Sequence, residues 1–172
     1  MTAEIRRARP GEETAVSRLL AEIWHATHDA ELGRDKVAEI TTKWHAPPLL
    51  RAQIDDPAKC FLVAEADDGR LVGHAMSWLD GGATINLLRL YVLPARQGGG
   101  LGRRLLAEAV AAYPAANVLR LEVQAQNAPA IRFYERLGLR ATGDTGERGG
   151  FTDIPAIVME KPLLLAGGGS FS

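Results

Sequence analysis

The segment that most constrains the fold is a run of glycines set between two apolar elements. Gln97-Gly98-Gly99-Gly100-Leu101-Gly102-Arg103-Arg104 follows the strand-like stretch Thr84 to Val92 and opens the helix-like stretch Leu101 to Tyr113. A second strand-like stretch, Asn117 to Val123, comes next. Two strands joined by one crossover helix lie parallel, with the crossover right-handed. A glycine turn at a helix start also leaves backbone N–H groups exposed, and the helix dipole adds to their attraction for phosphate. Glycine suits that turn because a side chain would hold a ligand off the backbone and because some positions take positive φ.

The remaining elements follow from pattern. Ala3 to Ala8 reads as a first strand, and Pro10-Gly11-Glu12-Glu13 as a turn into a helix carrying Val16, Leu19, Leu20 and Ile23 at helical spacing. Val37–Trp44 and Leu49–Ile54 read as shorter helices divided by Pro47-Pro48. Cys60–Ala66 and Leu71–Leu79 form a hairpin across Asp67-Asp68-Gly69-Arg70, where Asp-Gly supplies the positive φ of a tight turn. Gly81-Gly82 turns the chain into the Thr84–Val92 strand. Asn127–Leu137 reads as a helix with Pro129 in its first turn. Pro155–Lys161 is a last strand, Pro155 marking an edge or a strand start. The result is an α/β chain with a mixed sheet and helices on both faces.

The spacing of the glycines separates three ligand classes. A P-loop needs a lysine after its last glycine, and none is present. A dinucleotide turn needs G-x-G-x-x-G, and the third position falls on Arg103 or Leu105. What fits is Q-x-x-G-x-G on Gln97, Gly100 and Gly102. Before it stands Leu90-Tyr91-Val92-Leu93-Pro94; after it come Leu121-Glu122-Val123 and Asn127-Ala128-Pro129-Ala130-Ile131-Arg132-Phe133-Tyr134-Glu135-Arg136-Leu137-Gly138-Leu139. In that order these motifs resemble the GCN5-related N-acetyltransferases, the GNAT family, of the bacterial small-molecule type. The likeness is tight from Leu87 to Leu139, with Leu139 in place of the usual Phe.

The resemblance implies a GNAT fold: a mostly antiparallel sheet with a splayed central parallel pair, in a single domain over residues 1–165 and a flexible tail over 166–172. It implies acetyl-CoA as co-substrate. Backbone groups of Leu90 and Val92, flanking Tyr91, would hold the pantetheine arm. Amides of Gln97, Gly98, Gly99, Gly100, Leu101, Gly102 and Arg103 would surround the pyrophosphate, with charge from Arg96, Arg103 or Arg104. Asn127 would contact CoA, cap its helix, or do both. Tyr134 would donate a proton or a hydrogen bond to the departing sulfur. A phenol near pKa ~10 is only mildly mismatched to a thiol near ~8.5. Tyr134 also shares helical spacing with Ala130, Phe133 and Leu137, as a core aromatic would.

One feature of the family pattern is missing. Many members carry a glutamate on the strand before the loop, but Asn86 and Leu88 stand at the plausible positions. An alkyl ammonium of pKa ~10.4 costs about 4.6 kcal/mol to deprotonate at pH 7. Candidate groups to take that proton are Glu122, His25, His28, His45 and His74. His25 and His28, three apart, are expected to share a face, yet no third ligand suggests a metal. For the acceptor, Trp24, His28, Trp44 and His74 are the expected binding residues, with His25, Asp29, His45, Glu147, Phe151 and Asp153 nearby in the same segments. Aromatic rings suit an amine cation, and they equally suit a core.

Composition sets outer bounds. A net charge of −1 gives no general attraction to nucleic acid or anionic membrane, and no apolar run reaches the length of a span. The single cysteine, Cys60, opens an apolar strand and reads as a buried structural thiol, so direct attack by the amine is expected over an acyl-cysteine route. A cytoplasmic location is the default, and a homodimer is what the family habit implies. The expected reaction is acetyl transfer to a primary amine of a small molecule. The alternatives are a peptide or protein N-acetyltransferase and a non-catalytic CoA-binding sensor.

Overall fold

The structure is a computed structural model and describes residues 2–143 and 155–163. In chain order the elements are β1 (Ala3–Arg7), α1 (Glu13–Leu32), α2 (Arg34–Trp44), α3 (Pro47–Asp55), β2 (Lys59–Ala66), β3 (Leu71–Asp80), β4 (Thr84–Val92), α4 (Leu101–Ala111), β5 (Val118–Gln124), α5 (Ala128–Arg136), β6 (Arg140–Ala141) and β7 (Ala156–Pro162). The strands form one seven-stranded sheet in the order β1-β2-β3-β4-β5-β7-β6. β4 and β5 are parallel, with registered pairs from Thr84↔Val118 to Leu87↔Leu121, the first part of each strand. The β1–β2, β5–β7 and β6–β7 pairs are antiparallel. This is the mixed sheet with a parallel crossover pair that the glycine turn demands.

The chain divides into two compact units, Met1–Met76 with Arg89–Ala109, and Ser77–Leu88 with Val110–Ser172. In the first, α1 turns Val16, Leu19, Leu20, Ile23 and Trp24 inward, and α4 buries Leu105 and Leu106. Their spacing of three and four places them on one helix face, so the 3.6-residue period becomes a buried stripe. Gly73 on β3 lies under α4. A Cβ there would stand 2.9 Å from Leu105 Cδ1 and 3.3 Å from both Ala64 Cβ and the Tyr91 carbonyl oxygen. The missing side chain lets helix and sheet approach. In the second unit Ile85, Leu87, Leu119, Leu121, Leu139, Val158 and Met159 are buried.

Three local readings change. Pro47 and Pro48 do not divide two helices but begin α3, with Ala46 extended at ψ 134° before them. A proline has no N–H to lose in a first turn and pushes its predecessor out of the helical region. The two-residue strand β6 is too short to leave a period in the sequence. It pairs with β7, so β7 lies inside the sheet and Pro155 precedes its start. The expected helix over Leu101 to Tyr113 stops at Ala111. Tyr113 Oη instead donates to the Ser77 carbonyl at 3.0 Å. Cys60 is buried. The expected tail over 166–172, and Glu147, Phe151 and Asp153, lie outside the described residues. Among the described residues no helix is long and apolar enough to cross a membrane.

Candidate active site

The glycine turn leaves β4 through a single 3-10 turn, Pro94–Arg96, and then enters α4. Gly98 and Gly100 take φ of 82° and 81°, where a side chain is strained, and a Cβ on either would meet nothing within 4 Å. Among the described residues, no backbone carbonyl accepts from the amides of Gly98, Gly99, Gly100, Leu101 or Gly102. The first helical bond runs from the Arg104 amide to the Gly100 carbonyl at 3.0 Å. Unpaired amides on an exposed turn at a helix N-terminus favour an anion. The donor set therefore fits a pyrophosphate.

Gln97 plays a different part from its neighbours. Its side-chain Nε2 donates to the Val92 carbonyl at 3.1 Å and ties the turn back to the end of β4. Arg104, one of three arginines considered for phosphate charge, sends Nη2 to the Ala3 carbonyl of β1 at 3.2 Å. That contact turns its guanidinium toward β1.

Three of the four expected acceptor residues come together. Trp24 and His28 sit one turn apart on α1 with ring centroids at 4.6 Å. Trp44, the last residue of α2, meets Trp24 edge-on at 5.6 Å. His45 lies 5.9 Å from Trp24, and Tyr91 of β4 lies 6.4 Å from Trp24 and 6.5 Å from His45. The cluster is thus built from α1, the end of α2, and the strand leading to the glycine turn. Trp24 Nε1 and His28 Nδ1 are both buried and make no hydrogen bond. Burial holds the His28 pKa below its ordinary 6.5, against the opposing field of Glu31. His25 takes a separate course: its Nδ1 lies 2.7 Å from Asp29 Oδ1, so the two α1 histidines do not act as a pair. Among the described residues no group of three metal-ligating side chains is present.

His74 does not join that cluster. It is fully buried, its ring 4.5 Å from Phe61. Its Nδ1 lies 2.7 Å from the Leu62 carbonyl, so Nδ1 carries the hydrogen. Its Nε2 must then accept, and it does, from Arg89 Nε at 3.0 Å. Both nitrogens are engaged within the protein, and the tautomer is fixed. Burial first, then the Arg89 charge, hold His74 far below its ordinary pKa. It has no nitrogen to offer a substrate. Arg89 also donates to Gln53 Oε1 and stands 3.2 Å from Met76 Sδ, with its guanidinium carbon 5.6 Å from the Phe61 centroid. The sequence reading missed this network. Its signal was an arginine in step with Ile85 and Leu87, the buried positions of an alternating strand.

The second unit carries the remaining candidates. Asn127 Oδ1 accepts from the Ala130 amide at 3.2 Å and caps α5. Tyr134 is the buried residue of that helix, its ring 5.3 Å from Phe133. Glu122 is half-buried on β5, registered opposite Val158 of β7.

Comparison with known proteins places the chain in a family. The model of the GNAT acetyltransferase family matches residues 18–139. The chain belongs to the GNAT acetyltransferase family. An uncharacterized N-acetyltransferase of Mycobacterium tuberculosis is 34% identical over 113 residues, 64% of this chain and 72% of that one. Streptothricin acetyltransferase of Streptomyces lavendulae is 30% identical over 161 residues, covering 83% of this chain and 84% of that one. In fold, this GNAT chain is similar to the PaiA N-acetyltransferase of Thermoplasma acidophilum crystallised with coenzyme A. There the TM-score is 0.82 at 22% identity, over 95% of this chain and 100% of the other. The protein is a GNAT N-acetyltransferase.

Proposed function

We propose that this GNAT enzyme, a single catalytic domain over residues 1–165, transfers the acetyl group of acetyl-CoA to a primary amine of a small molecule. The observation that carries the reading is the row of unpaired amides from Gly98 to Gly102 at the start of α4. Those amides hold the pyrophosphate. Leu90 and Val92, either side of Tyr91, hold the pantetheine arm by backbone groups, and Asn127 caps α5 and contacts CoA. The amine attacks the thioester carbon directly, forming C–N as C–S breaks. Tyr134, with its O–H as donor, supplies hydrogen to the leaving sulfur. Supporting a small acceptor, the relatives include streptothricin acetyltransferase, and a mycothiol acetyltransferase of Kineococcus radiotolerans that is 37% identical over 145 residues. This chain spans 42% of that second protein.

The test is thiol release from acetyl-CoA with polyamines, amino acids, aminoglycosides and short peptides as acceptors. Tyr134→Phe runs beside the wild type, with acetyl-CoA binding measured by calorimetry. Turnover should fall in the variant, by something like the 10²- to 10⁴-fold typical of general acids, at unchanged affinity. Equal loss of turnover and affinity would instead make Tyr134 a packing residue.

A further inference from the structure

The strand before the glycine turn changes its surroundings half-way along. Among the described residues, β4 is registered with β5 only from Thr84↔Val118 to Leu87↔Leu121, yet β4 itself runs on to Val92. Its last residues are tied on the β3 side. The Leu93 amide donates to the Val72 carbonyl at 3.0 Å, and the Tyr91 carbonyl lies 3.3 Å from where a Cβ on Gly73 would stand. Tyr91 and Leu93 therefore turn their backbone groups toward β3. Successive residues of a strand turn theirs to opposite edges, so Leu90 and Val92 point away from β3. These are the two residues proposed to hold the pantetheine arm.

Arg89 opens that stretch. It is 5% exposed and in step with buried Ile85 and Leu87, but where they are apolar it is a cation. Its Nε donates to His74 Nε2 at 3.0 Å, and its Nη2 donates to Gln53 Oε1 and stands 3.2 Å from Met76 Sδ. The guanidinium carbon lies 5.6 Å from the Phe61 centroid. His74 is fixed in turn, its Nδ1 donating to the Leu62 carbonyl at 2.7 Å. The anchors come from β2, β3 and α3, all in the unit that carries the glycine turn.

Net stability is not what such an arrangement supplies. Burying a charge is costly, and a well-packed apolar replacement is often neutral or stabilising. What a guanidinium adds is direction, because its donors form a flat, rigid fork that meets its acceptors in one orientation. Contacts at both Nε and Nη2 fix that fork, and with it the path of the backbone one residue before Leu90.

We infer that Arg89, locked by His74 and Gln53, is a positioning residue for acetyl-CoA: it sets the path of β4 so that the backbone groups of Leu90 and Val92 meet the amides of the pantetheine arm. This rests on the acetyl-CoA reading above and adds to it a control on affinity that acts through the backbone.

Two probes test it by calorimetry: acetyl-CoA, and 3′-phospho-ADP, which keeps the pyrophosphate and lacks the pantetheine arm. Wild type should bind acetyl-CoA more tightly than the truncated nucleotide. Arg89→Met fills the site without the fork. It should weaken acetyl-CoA by on the order of 10-fold, the weight of one or two hydrogen bonds, while nucleotide affinity stays within about twofold. Arg89→Lys keeps the charge and loses the fork, so it should show the same selective loss. Gln53→Leu, on α3, should show a smaller loss, again confined to acetyl-CoA. Weakening of both probes together would mark a general loosening of the fold and overturn the assignment. So would an acetyl-CoA affinity that none of the variants changes, or one that lysine restores. If Arg89→Met fails to fold, the same comparison in Arg89→Lys and Gln53→Leu decides. Wild type that binds the two probes alike overturns the pantetheine reading itself, and wild type that binds neither overturns the acetyl-CoA reading.

Discussion

Gly100→Leu separates the phosphate role of the glycine turn from its structural role. Gly100 sits at φ 81°, and a Cβ added there meets nothing within 4 Å. The cost to the fold is the left-handed backbone alone, about 1–2 kcal/mol. For a chain of this size each kcal/mol moves Tm by roughly 2–4 °C, so the variant should melt about 2–8 °C lower. Coenzyme A at a hundred times its Kd stabilises the wild type by about 2.7 kcal/mol, a rise of roughly 5–11 °C on the same scale. In the variant that rise should vanish, because a leucine projects beside the amides that face the phosphates. Thermal unfolding with and without coenzyme A reads both effects in one experiment. A variant that keeps the full wild-type rise would refute the phosphate-cradle argument. One that melts far below the expected window would show that the turn is packed rather than open.

Gly73→Ala places a methyl 2.9 Å from Leu105 Cδ1 and 3.3 Å from the Tyr91 carbonyl, and should cost about 1–3 kcal/mol in denaturant unfolding; an unaltered midpoint would mean that α4 yields freely. Asn127→Ala removes the α5 cap and should cost about 1 kcal/mol, which Asn127→Asp restores. If the aspartate restores stability but not coenzyme A affinity, the amide itself contacts the cofactor. Stability should also depend on acid. His28 and His74 are both held below their ordinary pKa, so the unfolded chain binds more protons just below about pH 6.5. Their contribution is complete above that value and is lost as pH falls from it toward their folded values. Urea midpoints at pH 7.5, 6.5 and 5.5 should decline in that order, and a flat series would contradict the burial of both rings.

Local features were readable from the chain because local chemistry specifies them. The Asp68-Gly69 hairpin, the α4 start at Leu101 and the Asn127 cap depend on a few adjacent residues, and each stands where pattern places it. The parallel β4–β5 pair follows from one crossover helix. Trp24, His28 and Trp44 were legible as a set because helical spacing puts the first two on one face and the third ends the next helix. The His74 network was not legible. It joins Gln53, Leu62, His74 and Arg89 from four different elements, and nothing in single-strand alternation says which buried polar group meets which. Arg104 likewise reads in the sequence as a phosphate contact or a solvated surface residue, and only the fold brings the Ala3 carbonyl within its reach.

The bond from Gln97 to Val92 changes what the opening letter of Q-x-x-G-x-G stands for. A side chain that holds a carbonyl across the turn must be long and must donate, and its partner is backbone, which every residue at position 92 supplies. Arginine or lysine satisfies that requirement as well as glutamine does. Glutamate, almost the same shape, sets an anion against the carbonyl and fails. The letter therefore encodes a reach and a polarity rather than an identity. A basic residue at position 97 would keep the donor that this latch needs, and an acidic one would leave the Val92 carbonyl to another partner.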